Sequence, residues 1–430
     1  MMRALEKTLF PILTKLGEAR HLRAIRDGIV AVLPLIITGS FFLLLAQLPG
    51  SGDEASWGPV EGYLQNAAWS HTAFAWYAAH HAIFLTPYLL TMKLMALFVA
   101  FTVSAALADS YGLDSVASGI LSLSCMFVTV LPQNFGGQWF IPIQDLGGQG
   151  LFLAIILAIF CAEIYRIWEK GQWLKLPDGV PPAVVRAFSS VVPMSILVTF
   201  FWIIRDLLGV NLQGWVQVVF QPIEKLGDTL VAVILINLVI HLIWVAGIHG
   251  VSVMNAIFLS LWLDYLEQNA HAVAVSAPLP YITAHPFYQW FVWIGGSGAT
   301  LGLVFLLLSS KAKNLRSIGK LAFLPSICNI NEPIIFGLPI VLNPIMAIPF
   351  ILAPTTVGVI SYLAMKFDFV HKPFILVPWT LPGPLGAFLS TGYDWRALVL
   401  WGINFAIITI FYYPFFKMME RKVAHDADGK

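Results

Sequence analysis

Three short stretches of this chain hold the residue types that do chemistry. In the first, Glu332 follows Asn329 and Asn331 and precedes Pro333, inside the apolar run 326–354. A carboxylate can take the proton of a hydroxyl, and carboxamides both donate and accept hydrogen bonds, so this group could bind a polyol and activate it. Pro333 disfavours helix at Glu332 and brings no backbone donor, which predicts a break in the chain at the carboxylate. Pro339, Pro344, Pro349 and Pro354 recur at intervals of five and prolong the interruption. The second stretch runs from Trp244 to Asn255, with Gly247 and Gly250 on either side of Ile248 and His249. Such a turn exposes the imidazole, the side chain that most easily gives and takes a proton near neutrality. In the third, Trp379 and Thr380 lie between Pro378 and Pro382. An aromatic face beside polar groups suits a sugar ring, although Trp379 would serve equally as an aromatic-belt residue. Glu332 and His249 are thus the candidates for proton transfer. Together with them, Asn331, Asn255, Trp244, Trp379 and Thr380 are the candidates for substrate contact.

These groups sit in a chain built for lipid. Apolar residues make up 58% and charged residues 11%, too few charges to cover a globular surface. In a bilayer, broken backbone survives only where protein surrounds it or it lines a watery cavity, and an ionisable group placed there marks function by default. A net charge of +1 offers no footing for nucleic acid. Cys125, Cys161 and Cys328 are isolated in apolar runs, which predicts neither a disulfide framework nor a zinc site. No nucleotide or metal motif stands out, and no cofactor is expected. The N-terminal stretch is too long and too charged for a cleaved signal peptide and reads as a helix lying on the membrane surface.

The elements that must position the candidates read as an all-α polytopic membrane protein of about ten transmembrane helices, two re-entrant hairpins and interfacial amphipathic helices. Spans are predicted at 28–49, 85–107, 115–131, 150–165 and 188–204, then at 230–246, a shorter 252–266, 291–308, the proline-broken run after Phe336, and 398–416. Residues 213–226 are amphipathic and bridge two halves along the interface. The half 1–210 reads as a five-span scaffold or dimerisation unit, and 211–430 as the substrate-binding half. Lysine and arginine concentrate at the N-terminus, after the fourth and eighth spans, and in the tail. Ten crossings place all four basic segments and both termini in the cytoplasm. Segments 322–335 and 373–390 are apolar but too short and too broken to cross. They are expected to dip in from opposite faces, a pointer to a midplane site. Lys93 falls inside the second span and is expected to snorkel to the outer interface.

The motif NINEPIIFGLP, the loop KLPDGVPPAVVRAFSSVVP, the GIHG turn and VPWTLPGPLGAFLSTG together resemble the IIC permease of bacterial sugar phosphotransferase systems, in its lactose/cellobiose/diacetylchitobiose branch. The resemblance covers essentially the whole chain. It implies a homodimer in the bacterial inner membrane, a disaccharide substrate, and a partner IIB protein whose phosphocysteine phosphorylates the bound sugar. It further implies that His249 and Glu332 hold the hydroxyl at sugar carbon six. No IIB-like module is expected before Gly28 or after Phe416. Two other classes stay open at this stage. An ion-coupled transporter would use the same broken helices, with Lys93 and Glu332 as ion groups. An intramembrane serine protease is hinted at by Gly295-Gly296-Ser297-Gly298, but only His371 and His425 follow it as bases.

Overall fold

The computed structural model describes residues 19–46, 76, 80–130, 133–171, 182–338, 340 and 343–428. The surface segment through residue 18, the outer segment 51–69 and the start of the KLPDGVPP loop lie outside the described residues. The first half packs α1 (Arg20–Ala46) against the second span, which divides into α2 (Leu85–Leu90) and α3 (Met95–Asp109). α4 (Ser115–Thr129) and α5 (Leu151–Gly171) complete a bundle around α3. Asp114 caps α4 by accepting from the Ala117 N–H. α6 (Pro182–Trp202) ends in a π turn at Ile203–Leu207. Among the described residues the only strands are the hairpin β1 (Gln133–Phe135) and β2 (Gln138–Phe140), a small departure from an all-helical chain.

The amphipathic α7 (Leu212–Gly227) leads, through an 82° bend, into α8 (Leu230–Val245). α9 (Gly250–Ala274) follows, then a short turn at His285–Phe287 running into a π turn at Tyr288–Val292. α10 (Leu301–Leu308), α11 (Lys313–Ile327) and α12 (Glu332–Gly337) precede the long α13 (Pro344–Lys366). α14 (Gly383–Ser390) and α15 (Trp395–Asp428) close the chain. Asn343 caps α13 by accepting from the Ile345 and Met346 N–H groups, and Pro344 takes the first-turn position where its missing N–H costs nothing. One hydrophobic cluster runs through both halves, and α9 lies directly against α1. Large apolar side chains such as Phe98, Ile120, Phe200, Leu235 and Ile410 are exposed, as a lipid-facing surface requires.

Six helices among the described residues are long and apolar enough to cross a bilayer, or seven if the bent α7–α8 pair forms one span. Three of the sequence expectations need correction. The seventh segment is not short: α9 has 25 residues and continues through Asp264, Glu267, Gln268 and Asn269. Three of these four are buried against protein partners, so a hydropathy rule calibrated on lipid-facing residues ends the helix too early. The eighth segment is not a continuous helix, because its backbone is unwound between Trp293 and Thr300. Lys93 does not snorkel. It is 2% exposed, sits in the 3₁₀ turn Met92–Leu94 that divides α2 from α3, and pairs with Glu267 of α9 at 2.6 Å. A buried carboxylate within reach holds the ammonium more effectively than a distant interface would.

Basic segments meet at their ends. Arg20 and Arg166 both lie over the Tyr111 ring, at 4.5 and 4.7 Å. Glu420 accepts from the Ser310 hydroxyl and the Lys311 N–H, both at 2.7 Å, which joins the tail to the loop after α10.

Candidate functional site

The α8–α9 junction shows why His249 stands where it does. The Gly247 N–H donates to the Trp244 carbonyl and the Ile248 N–H to that of Ile243, closing α8 in a Schellman turn. That turn needs a left-handed residue, and Gly247 supplies φ of 90°. His249 then becomes the N-cap of α9. Its Nδ1 accepts from the Ser252 N–H at 3.1 Å and faces the Ser252 hydroxyl at 2.9 Å. With Nδ1 accepting, the neutral ring carries its proton on Nε2. The Trp244 ring lies 4.3 Å from the imidazole, centroid to centroid.

Two segments turn back on themselves and meet at their tips. α11 and α12 are separated by a turn in which Asn329 takes φ of 61°. The segment 373–390 runs extended and returns through α14, so that the Phe374 and Ile375 N–H groups both reach the Ser390 carbonyl. Asn329 joins the tips: its Nδ2 donates to the carbonyls of Trp379 and Leu381 at 2.8 and 3.0 Å, and its Oδ1 accepts from the Gly295 N–H. Asn331 holds the same unwound strand from the other side, donating to the Ser297 carbonyl and to the Thr300 hydroxyl. Both asparagines are therefore clasps. Only Oδ1 of Asn331 is left for anything else.

The unwound segment has its backbone groups satisfied by side chains, as irregular chain inside a membrane protein must. His241 is fully buried. Its Nε2 accepts from the Gly298 N–H at 2.8 Å, which leaves Nδ1 to donate to the Asn237 carbonyl. Tyr412 donates to the Gly298 carbonyl and Thr300 to that of Gly295. At Gly296, φ is 97° and a β-carbon would lie 2.5 Å from Cγ of Asn331, so a side chain there is excluded twice over. The GGSG run is thus a packing device. The tight glycines place backbone against Asn331 and Phe350.

These elements enclose a cavity of about 340 Å³. Glu332, His249, Asn331, Asn255, Trp244 and Trp379 all line it. Thr380 is exposed and is not among the lining residues. His285, Gln289, Trp293 and Ser297 line it as well, and Val30 and Leu33 of α1 bring a wall from the first half. Sequence reading missed His285 and Gln289 because they belong to a stretch taken for the outer loop and the approach to a span. Their only signal was the Pro286 and the polar pair in otherwise apolar surroundings. Nε1 of Trp244, Oδ1 of Asn255 and Nδ1 of His285 are buried without a hydrogen-bond partner in the protein. Glu332 opens α12 and is exposed to the cavity. The pocket therefore presents donors, acceptors, a carboxylate and an imidazole to a ligand of many hydroxyls, beside apolar aromatic surface.

A polar, aromatic-walled cavity built where helices break inside a helical membrane protein defines a solute permease. The family model "Phosphotransferase system, EIIC" matches residues 26–354, and the chain belongs to that family. It is 36% identical over 447 residues to the PTS system cellobiose-specific EIIC component of Geobacillus stearothermophilus, covering 98% of this chain and 95% of that one. It is 35% identical over 438 residues to the lichenan permease IIC component of Bacillus subtilis (strain 168), with 97% and 93% covered. Among solved structures it is similar to the transporter ChbC, the IIC component from the N,N'-diacetylchitobiose-specific phosphotransferase system. That match has a TM-score of 0.89 and 32% identity, and covers 99% of each chain. Membership leaves the ion-coupled alternative without support and makes the chain a bacterial membrane permease subunit.

Proposed function

We propose that this chain binds a disaccharide of the cellobiose, diacetylchitobiose or lactose type in the cavity around His249 and Glu332, and carries it across the membrane coupled to its phosphorylation. The observation that carries this reading is the convergence of six of the seven sequence-predicted residues on one cavity, with buried polar atoms there still lacking partners. Glu332 accepts the proton of a sugar hydroxyl as that oxygen attacks phosphorus on the phosphocysteine of a partner IIB protein. The P–S bond breaks and the thiolate leaves. His249 donates from Nε2 to the same sugar oxygen or its neighbour, and Trp244 and Trp379 flank the apolar faces of the rings. The test is reconstitution of the wild type in vesicles, with and without phosphorylated IIB inside. Sugar phosphate accumulating only with IIB supports the reading, and concentration of unmodified sugar without IIB sinks it.

Ten crossings, two re-entrant hairpins, a homodimer and cytoplasmic termini complete the proposal. The adjacency of Arg20 with Arg166, and of Glu420 with Lys311, supports putting the basic segments on one side in pairs. Cysteines introduced singly at Lys313 and Lys422, in protein lacking the native three, should resist an impermeant thiol reagent added to intact cells. Those at Gly137 and Gln268 should react. Outside labelling at Lys313 would break the parity on which the hairpins depend.

Trp379 is 50% exposed, its carbonyl is held by Asn329, and it lines the cavity. Trp379→Ala should weaken disaccharide binding by about 1–3 kcal/mol and Trp379→Phe by much less, as read by calorimetry on purified protein. Unaltered affinity in folded Trp379→Ala protein would remove the residue from the site.

A further inference from the structure

A second cavity, of about 450 Å³, lies at the far end of α9 from His249. Gln149, Gln217, Gln221, Glu224, Gln268 and Tyr281 line it. On α7, Gln213, Gln217, Gln221 and Glu224 fall at spacings of four, four and three, so they form one helical stripe. The other face of α7 carries exposed Trp215, Val219 and Leu226, suited to lipid. Interfacial helices ordinarily place lysine and arginine on the polar face, whereas here that stripe is almost wholly carboxamide.

The wall is fixed in place. Gln213 Nε2 donates to the Gln149 carbonyl at 2.7 Å, tying α7 to the turn before α5. The Tyr265 hydroxyl donates to the Glu224 carbonyl, and the Tyr265 ring stacks on Tyr281 at 4.3 Å between centroids. Gln268 donates to Oδ2 of Asp264 at 3.0 Å, which orients its carboxamide. Carboxamides both donate and accept, and a carboxylate can accept from two hydroxyls, while Tyr281 adds an aromatic wall. That set matches a neutral polyhydroxylated ligand. It offers no cation for a phosphate.

We infer that this cavity is a second saccharide subsite, which captures sugar on the outer side before it reaches the cavity at His249. Thirteen residues of α9 separate Asn255 from Gln268, so the two sites lie about 20 Å apart along one helix. The inference rests on the disaccharide reading above and on the proposed orientation.

The test combines Gln217→Ala, Gln221→Ala and Gln268→Ala in one protein, reconstituted in vesicles with phosphorylated IIB, and uses cellobiose as the probe. The KM for uptake should rise about tenfold while the maximal rate stays near that of the wild type. A second measurement introduces a cysteine at Val218, in protein lacking the native cysteines and carrying His249→Ala. Cellobiose should slow its reaction with an impermeant thiol reagent, because the outer subsite is intact although the inner one is disabled. An unchanged KM, or no protection at Val218, overturns the subsite while leaving the permease reading in place. A wild type that neither binds nor takes up cellobiose overturns the disaccharide reading and the subsite with it.

Discussion

Glu332→Gln should bind disaccharide within several-fold of the wild type, yet form sugar phosphate about 100-fold more slowly or worse in the presence of phosphorylated IIB. The glutamine keeps the shape of the side chain and part of its hydrogen bonding but cannot take the hydroxyl proton, and general-base contributions are about 10²–10⁴-fold. The geometry makes the separation clean. Glu332 lines the cavity as the first residue of α12, whereas Asn329 and Asn331 beside it hold the surrounding backbone together. His249→Ala should impair both steps. It removes a ligand contact and also the cap that accepts from the Ser252 N–H, leaving a donor at the start of α9 unpaired. Binding by calorimetry and phosphorylation in vesicles, measured on the same preparations, decide the matter. Equal rates for Glu332→Gln and wild type would assign the carboxylate to binding alone.

Much of the site was legible in the sequence because its backbone requirements are local. Pro333 reports a break close to Glu332 without any knowledge of the fold. The break falls just ahead of the carboxylate, with Asn329 in a left-handed conformation, and Glu332 itself opens α12, where Pro333 fits the first turn. The glycines around His249 report a turn, and the Schellman closure of α8 follows from Gly247 alone. Trp379 lies at the tip where its flanking prolines put it. What stayed illegible depends on partners distant in sequence. Nothing near Asn329 says that its carboxamide will reach Gly295, Trp379 and Leu381 at once. Hydropathy read residues 291–308 as a span because the groups that sustain its unwound part, His241 and Tyr412, lie 57 and 114 residues from Gly298. His285 and Gln289 escaped for the same reason: only the fold brings them to the cavity.

The pairing of Lys93 with Glu267 is the plainest case of such distant information, and it carries the second large effect. Replacing either residue alone, by Lys93→Met or Glu267→Gln, should destabilise the protein by about 3–5 kcal/mol, because each leaves a buried charge uncompensated. The two side chains are 3% and 2% exposed and 2.6 Å apart, and Oε2 of Glu267 also accepts from the Gly148 N–H at 3.2 Å. Three elements therefore meet at one carboxylate: the turn dividing α2 from α3, the turn before α5, and α9, which His249 caps. The double replacement Lys93→Met with Glu267→Leu removes both charges and fills the space with apolar groups. It should recover most of the lost stability, since well-packed hydrophobic substitutes for buried pairs are often neutral or stabilising. Its uptake of disaccharide should recover less fully, because Gly148 loses its acceptor and α9 loses a directional tie to the first half. Thermal unfolding in detergent, followed by tryptophan fluorescence, gives the stability of all four proteins. Vesicle uptake then gives the transport arm. Single variants as stable as the wild type would mean that water reaches Lys93, and the snorkelling expectation would return.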